Sequence, residues 1–451
     1  MIVMKFGGTS VADAPAIRRL VGIVESRREE DPVVVVSALS RVSDALLTLP
    51  LLSLEERRGA VEALLARHTT LAGELELPAG IMTPLAEEAD HLATELEGLG
   101  DAAPTGAFMD FVAGHGELWS SRLVAAALNA GGLPSSWVDV RPVMRTDFRF
   151  TAASPDPEGL PERTREGFLS HVEAGRVPVS QGFLGSAPDG RPTTLGRGGS
   201  DFTATLLGAA LGVTRVEIWT DVDGIMTADP RVVPEARLLP VASHHEAAEL
   251  AAFGAKVLHP ATQAPLVNAG IPCVVLNSFA PEGTGTRVVS VTDPGQMGPS
   301  PVRAVSCKRG ITIVNVRSPR MLGATGFLRQ LFEVFERHQV SVDVLATSEV
   351  SVSVTVDEPL PLTALQADLG ALGEVTVFPG RAIVALVGMA LRDTPGIAAR
   401  IFHAVQDINV EVISQGASAI NVTFVVRDEE AFEAVRRLHR EFIEAPVEAL
   451  A

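Results

Sequence analysis

The sequence has two cysteines, Cys273 and Cys307, in 451 residues. They cannot form a disulfide framework, and their scarcity points to a reducing compartment. Basic residues are also short: 37 Lys and Arg face 55 Asp and Glu, a formal net charge of −18. That balance argues against a chain whose main task is gripping nucleic acid or anionic lipid. It leaves anionic small ligands open, because a few local cations dominate one cleft. No stretch approaches the roughly 20 apolar residues that span a bilayer, so no membrane partner is expected. The N-terminus, Met1 to Phe6 and then Gly7-Gly8, lacks a basic segment leading into a long apolar run. No signal peptide is therefore expected. No His/Cys cluster has zinc spacing, and no Gly-x-Ser-x-Gly elbow occurs. What is present is 46% apolar and 20% charged residues, a globular composition with ample core. At roughly 150 residues per domain the length suggests about three units. A cytoplasmic, acidic, multi-domain protein is the expectation.

Residues 1–290 alternate β-branched runs with helical patterns. Ile2-Val3-Met4 predicts a strand; Ile17, Leu20, Val21 and Val24 then share one helix face. Val33–Val36 is unbroken apolar, as in a strand covered on both faces. Further strands are expected at Val177–Phe183, Val216–Val222 and Pro272–Phe279. A helix over Leu118–Ala130 stops at Gly131-Gly132. This alternation predicts a three-layer, mainly parallel α/β domain over residues 1–292. Residues 50–110, rich in Leu, Ala and Glu, read as a helical insertion. Ser290–Pro301, with its prolines and glycines, reads as a linker.

Past the linker the chain repeats itself. Gly326-Phe327 and Gly396-Ile397 each open a helix. Val340-Ser341-Val342 matches Val410-Glu411-Val412, and Ser351–Val354 matches Asn421–Phe424. Each pair stands 70 residues apart. A constant offset across helix, strand and strand means two copies of one small α+β unit. The copies are placed at 303–378 and 380–451. Such split sandwiches sense ligands or pair chains more often than they catalyse.

Chemistry concentrates in glycine-bearing loops. Lys5-Phe6-Gly7-Gly8-Thr9-Ser10 takes a strand into a tight turn and a helix, where backbone N–H groups meet an anion. It is not the P-loop pattern, and an ordinary βα turn with a surface lysine explains it equally. Gly196-Arg197-Gly198-Gly199-Ser200-Asp201 leaves one guanidinium free to fork onto a carboxylate or phosphate. Asp201 there reads as a cap or as a functional acid. Thr220-Asp221 through Met226 to Arg231 follows a strand, where such sheets bind ligands, although its Asp-Gly and Asp-Pro pairs are also plain turn formers. Lys256 adds a cation before a helix expected from Val257. Glu117 is expected in the first turn of the Trp119 helix, where a favourable dipole charge is the simplest role. Together the cations and carboxylates suit two anions and an ammonium: phosphoryl transfer to an amino acid.

These residues carry a resemblance. KFGGTS (5–10), VVVSALS (34–40), GHGELWSS (114–121), VMRTD (143–147), TLGRGGSD (194–201), TDVDGIMTADPR (220–231) and FGAKVLHP (253–260) occur in order. In this the sequence resembles the aspartokinases of the amino-acid kinase superfamily. SPRMLGATGF (318–327), SVDVLATSEVSVSV (341–354) and ISQGASAINVTFVV (413–426) resemble the family's paired ACT regulatory domains, of βαββαβ type. The SVD…TSEVSV wording is most similar to the lysine-inhibited, single-function branch, so no homoserine dehydrogenase half is expected. Two departures stand out. Met226 replaces a tyrosine in a chain that has no tyrosine at all, so a thioether must pack the adenine. Ser43 replaces threonine and Arg41 stands where glycine is common, so that loop's conformation is expected to differ.

The resemblance implies an ATP-dependent aspartate kinase that makes 4-phospho-L-aspartate, the first step toward lysine, methionine and threonine. Lys5 and Asp201 would be catalytic. Ser37, Ser43, Glu117, Arg197, Gly198, Gly199 and Ser200 would bind aspartate. Lys5, Phe6, Gly7, Gly8, Thr9, Ser10, Thr220, Asp221, Met226, Arg231, Lys256 and Val257 would form the ATP site, with Mg²⁺ carried on the phosphates. Lysine, as inhibitor, would meet Met321, Gly326, Phe327, Leu328, Val342, Asp343, Thr347 and Ser348. A homodimer through the ACT domains, or a tetramer, is implied. Another kinase of the superfamily, or a catalytically dead amino-acid sensor, remains as an alternative.

Overall fold

The computed structural model describes residues 1–254, 258, 260–290, 300–358 and 362–444. The chain forms two compact units. The first draws on residues 1–225, 240–244 and the described part of 258–290.

The first unit is built on an eight-stranded sheet. Its strand order is Ser135–Val138, Val177–Gln181, Pro32–Val36, Ile2–Phe6, Val216–Thr220, Cys273–Asn277, Thr286–Val289 and Val241–Ser243. All neighbours pair in parallel except Thr286–Val289 against Cys273–Asn277. Ile2–Phe6 and Pro32–Val36 are buried at every position, as their unbroken β-branched runs require when helices cover both faces. Because these central strands run the same way, the loops that follow Phe6, Val36 and Thr220 emerge together. Gly7 N–H donates to the Trp219 carbonyl at 3.0 Å, and Ser37 N–H to the Phe6 carbonyl at 3.1 Å. Residues 50–110 are helical, with long helices at Leu54–Glu74 and Met82–Leu99.

One helix departs from the sequence expectation. It spans Gly106–Ala130 with Thr105 as its N-cap, not Leu118–Ala130. Glu117 is therefore mid-helix, and the dipole role does not apply. Gly114 and Gly116, which look like a helix start, are instead sites of close packing. A Cβ on Gly116 would stand 2.7 Å from the Ala38 Cβ, and one on Gly114 would stand 3.1 Å from Leu184. Asp201 likewise is no cap: it lies in the first turn of the helix Gly199–Leu211, whose N-cap is Gly198.

The second unit holds the repeats in a single six-stranded antiparallel sheet. Its order is Val342–Thr347, Ser351–Asp357, Val302–Arg317, Glu374–Gly388, Asn421–Arg427 and Val412–Gln415. The two long central strands pair along their length, with register shifts between Val302 and Ala304 and on either side of Ile311. The division at residues 303 and 380 is corrected by this pairing. Residues 302–309 pair with 382–388, the opening strand of the second copy, so they supply that copy's fourth strand. The first copy is thus inserted into the second. Residues 226–239 and the described residues of 245–254 also belong to this unit. Ala228, Val232 and Val233 share a core with Phe424, Val435 and Leu438. The linker residues 291–299 lie outside the described residues.

Candidate active site

A cleft of about 750 Å³ opens at the carboxyl ends of the first unit's central strands. Its walls include Lys5, Gly7, Gly8, Thr9, Ser37, Ser43, Glu117, the loop Gly196–Asp201, Thr220 and Asp221. Five separate segments expected to carry chemistry are therefore brought to one place.

Lys5 is the penultimate residue of the buried first strand. Its Nζ stands 2.7 Å from Asp201 Oδ1, with the two side chains 11% and 14% exposed. Gly7 and Gly8 turn the chain beside it. A Cβ on Gly8 would meet the Ala38 carbonyl at 3.0 Å, so the first and second loops pack backbone to backbone. Phe6 and Ser10 do not line the cleft. Phe6 stacks on Trp219 at 6.0 Å, and Ser10 Oγ shares a 2.8 Å hydrogen bond with Ser278 Oγ. Both side chains brace the turn from the core side.

Glu117 is 4% exposed, and burial pushes its carboxyl up to about 8. Its Oε2 has no hydrogen-bond partner. A buried acid held neutral and incompletely bonded is costly unless a ligand completes it. Lys5 pulls weakly in the other direction. Arg197 lines the same cleft, exposed on a turn where Gly196 and Gly198 have φ of +75° and +71°. Those left-handed conformations explain why glycines flank the arginine. A Cβ on Gly199 would meet the Phe183 ring at 2.6 Å, and Ser200 packs onto Gly182.

Arg41 has φ of +66°. The residue thus takes a backbone conformation that glycine adopts freely. Ser43 follows in the helix Val42–Thr48.

Of the nucleotide-site residues, Thr220 and Asp221 line the cleft, with Thr220 Oγ1 donating to Asp221 at 3.2 Å. Met226 and Arg231 belong to the second unit. Arg231 is 90% exposed and pairs with Asp229 at 2.7 Å. Lys256 and Val257 lie outside the described residues. Sequence reasoning missed Asp110, which also lines the cleft, seven residues before Glu117 in the same helix. Its signal was an acid within the apolar run Phe108-Met109-Asp110-Phe111-Val112.

In the second unit, Met321 and Val342 pack on the cluster that contains Phe327. Gly326, with φ of +86°, is the N-cap of the helix Phe327–Arg337, and Leu328 is partly exposed. Asp343 is engaged by the chain itself: Lys308 Nζ lies 2.8 Å from it and 2.7 Å from Asp357. Thr347 is exposed, and Ser348 bonds Ser351 at 2.7 Å. Among the described residues no group of three or more His, Cys, Asp or Glu is arranged to hold a metal, and no helix is long and apolar enough to cross a membrane.

Residues 1–277 match the amino acid kinase family, and residues 384–442 match an ACT domain. Lysine-sensitive aspartokinase 3 of Escherichia coli (strain K12) is 39% identical over 456 residues, covering 98% of this chain and 99% of its own. The chain belongs to the aspartokinases of the amino acid kinase family. Aspartokinase 1, chloroplastic, of Arabidopsis thaliana is 35% identical, covering 98% of this chain and 80% of its own length. Among solved structures, Escherichia coli aspartokinase III with aspartate and ADP, in the R-state, superposes with a TM-score of 0.87 at 39% identity. It covers 98% of this chain and 99% of that one. The same enzyme with lysine and aspartate, in the T-state, gives 0.85 over the same shares.

Proposed function

We infer that this aspartokinase transfers the γ-phosphoryl of ATP to the side-chain carboxylate of L-aspartate, giving 4-phospho-L-aspartate. The observation that carries the reading is the Lys5–Asp201 pair at 2.7 Å, set in a cleft with the exposed Arg197 and a buried, incompletely bonded glutamate. An aspartate side chain, with a pKa near 3.9, is ionised at neutral pH and needs no general base. The obstacle is an anion approaching a polyanion, so positioning and charge neutralisation do the catalysis.

Lys5 and the Gly7 and Gly8 amides neutralise the transferring phosphoryl group. Asp201 orients Lys5 and limits its charge until the phosphates arrive. Arg197 forks onto the α-carboxylate of aspartate, Glu117 takes its ammonium, and Ser37, Ser43 and the Gly198–Ser200 amides place the rest. Thr220 and Asp221 bind the nucleotide, and Mg²⁺ enters as part of that substrate. The protein works in the cytoplasm. Lysine inhibits at the first ACT copy through Met321, Gly326, Phe327, Leu328, Val342, Asp343, Thr347 and Ser348. Leu322, Leu328, Phe332 and Leu345, exposed at 64%, 38%, 37% and 38%, favour a homodimer through that copy. ADP release measured with a panel of amino acids tests the activity. Aspartate should be the preferred acceptor; preference for another carboxylate, or no turnover, would refute it.

A further inference from the structure

Asp110 is 1% exposed and is held by two neutral donors from different segments. Thr194 Oγ1 donates to Oδ1 at 2.6 Å, and the Thr151 backbone N–H donates to Oδ2 at 2.9 Å. Burial raises the pKa of this carboxyl, and both bonds oppose that rise. Keeping an acid inside an apolar stretch of helix costs free energy, so the two bonds matter to where those segments sit.

Both donors bear on the loop that carries Arg197. Thr194 is the last residue of the strand Pro192–Thr194, three residues before the arginine. Its carbonyl accepts the Ala153 N–H at 2.9 Å, so the two segments are joined directly as well as through Asp110. Gly196 comes so close to the same segment that an added Cβ would stand 3.4 Å from the Thr151 carbonyl and from Ala152. Thr151 has φ of +70°, a conformation that β-branched residues rarely adopt without outside support. The Arg197 side chain is exposed and has no hydrogen bond or ion pair among the described residues. Among the described residues, then, only the backbone of its loop places its guanidinium.

We propose that Asp110 is a positioning residue for the amino-acid substrate. By fixing Thr151 and Thr194 it sets the turn from which Arg197 reaches the α-carboxylate. This rests on the reading of Arg197 given above. A small displacement of a binding group costs up to about a hundredfold in rate or affinity.

The test is steady-state kinetics of the full-length chain with both substrates varied, for wild type, Asp110→Asn, Thr194→Val, Thr194→Ser and Arg197→Ala. Asp110→Asn should raise KM for aspartate about tenfold or more, keeping kcat within about threefold and KM for ATP unchanged. Thr194→Val, which loses the hydroxyl, should reproduce the effect, and Thr194→Ser, which retains it, should not. The double variant Asp110→Asn/Thr194→Val should be no worse than Asp110→Asn alone, because both cut the same tie. If Arg197→Ala raises KM for aspartate while Asp110→Asn and Thr194→Val leave it unchanged, positioning is refuted and the reading of Arg197 stands. If Arg197→Ala itself leaves that KM unchanged, the reading of Arg197 fails, and the proposal with it. Equal losses of kcat and thermal stability with no shift in KM would mean a purely structural role and would also overturn it.

Discussion

Lys5 Nζ and Asp201 Oδ1 stand 2.7 Å apart, joining the end of the first strand to the first turn of the helix Gly199–Leu211. The pair links residues 196 positions apart in sequence and places a cation where a phosphoryl group would arrive. It also gives Lys5 a structural duty that a surface lysine lacks. Lys5→Ala should lower kcat by about 10²–10³, the usual loss for one donor to a developing charge. It should also lower stability, on the order of 3 kcal/mol, because Asp201 is left nearly buried and unpaired. The double variant Lys5→Met/Asp201→Asn should recover much of the stability and none of the activity. Kinetics and thermal melts of the three proteins check this; near-normal kcat in Lys5→Ala would remove Lys5 from the mechanism.

Glu117 gives a pH prediction with a definite sign. Burial holds its carboxyl at about 8 in the empty cleft, above the ordinary value of 4.5. A bound ammonium favours the ionised form, so binding aspartate releases a proton at pH values between the lowered pKa of the complex and about 8. KM for aspartate should therefore fall as pH rises toward 8, approaching roughly tenfold per pH unit, and then level off. In Glu117→Gln the slope should vanish and KM should be high throughout. An unchanged slope in Glu117→Gln would place the titrating group elsewhere.

Arg197→Lys keeps the charge and loses the planar fork. KM for aspartate should rise roughly tenfold or more while KM for ATP stays within about twofold. A rise confined to ATP would reverse the assignment of the two substrates.

Much of this arrangement is legible in the sequence, for physical reasons that differ by element. The unbroken β-branched run Val33–Val36 suits a strand covered on both faces, and the glycines around Arg197 suit an unusual backbone. The 70-residue offset likewise exposes the repeats. Glu117 misleads because Gly114 and Gly116 look like a helix start; only the approach of Ala38, distant in sequence, shows that they are packing sites. The interleaving of the repeats is invisible for a related reason. Residues 302–309 complete the second copy, whose other strands, from residue 382 onward, follow by more than 70 residues, and no local pattern marks the partner. Asp110 is hidden because its donors, Thr151 and Thr194, lie 41 and 84 residues away.

Regulation can be tested at Lys308. Its ammonium already occupies Asp343 and Asp357 at 2.8 and 2.7 Å. If free lysine delivers its ε-ammonium to Asp343, it must displace an internal lysine head group. Lys308→Met should then lower the lysine concentration needed for half-inhibition, and Asp343→Ala should abolish inhibition. Uninhibited kcat should stay within about twofold in both, since effector coupling acts on the equilibrium between states. Identical lysine titrations for wild type and both variants would remove Asp343 from the inhibitor site.

The most direct measurement is hydroxamate trapping of the acyl phosphate, with aspartate, ATP and hydroxylamine, for wild type beside Lys5→Ala. Wild type should form aspartyl hydroxamate at the side-chain carboxyl in strict dependence on ATP, and Lys5→Ala should form it about 10²–10³ times more slowly. ATP turnover without aspartyl hydroxamate, or equal rates for the two proteins, would contradict the account.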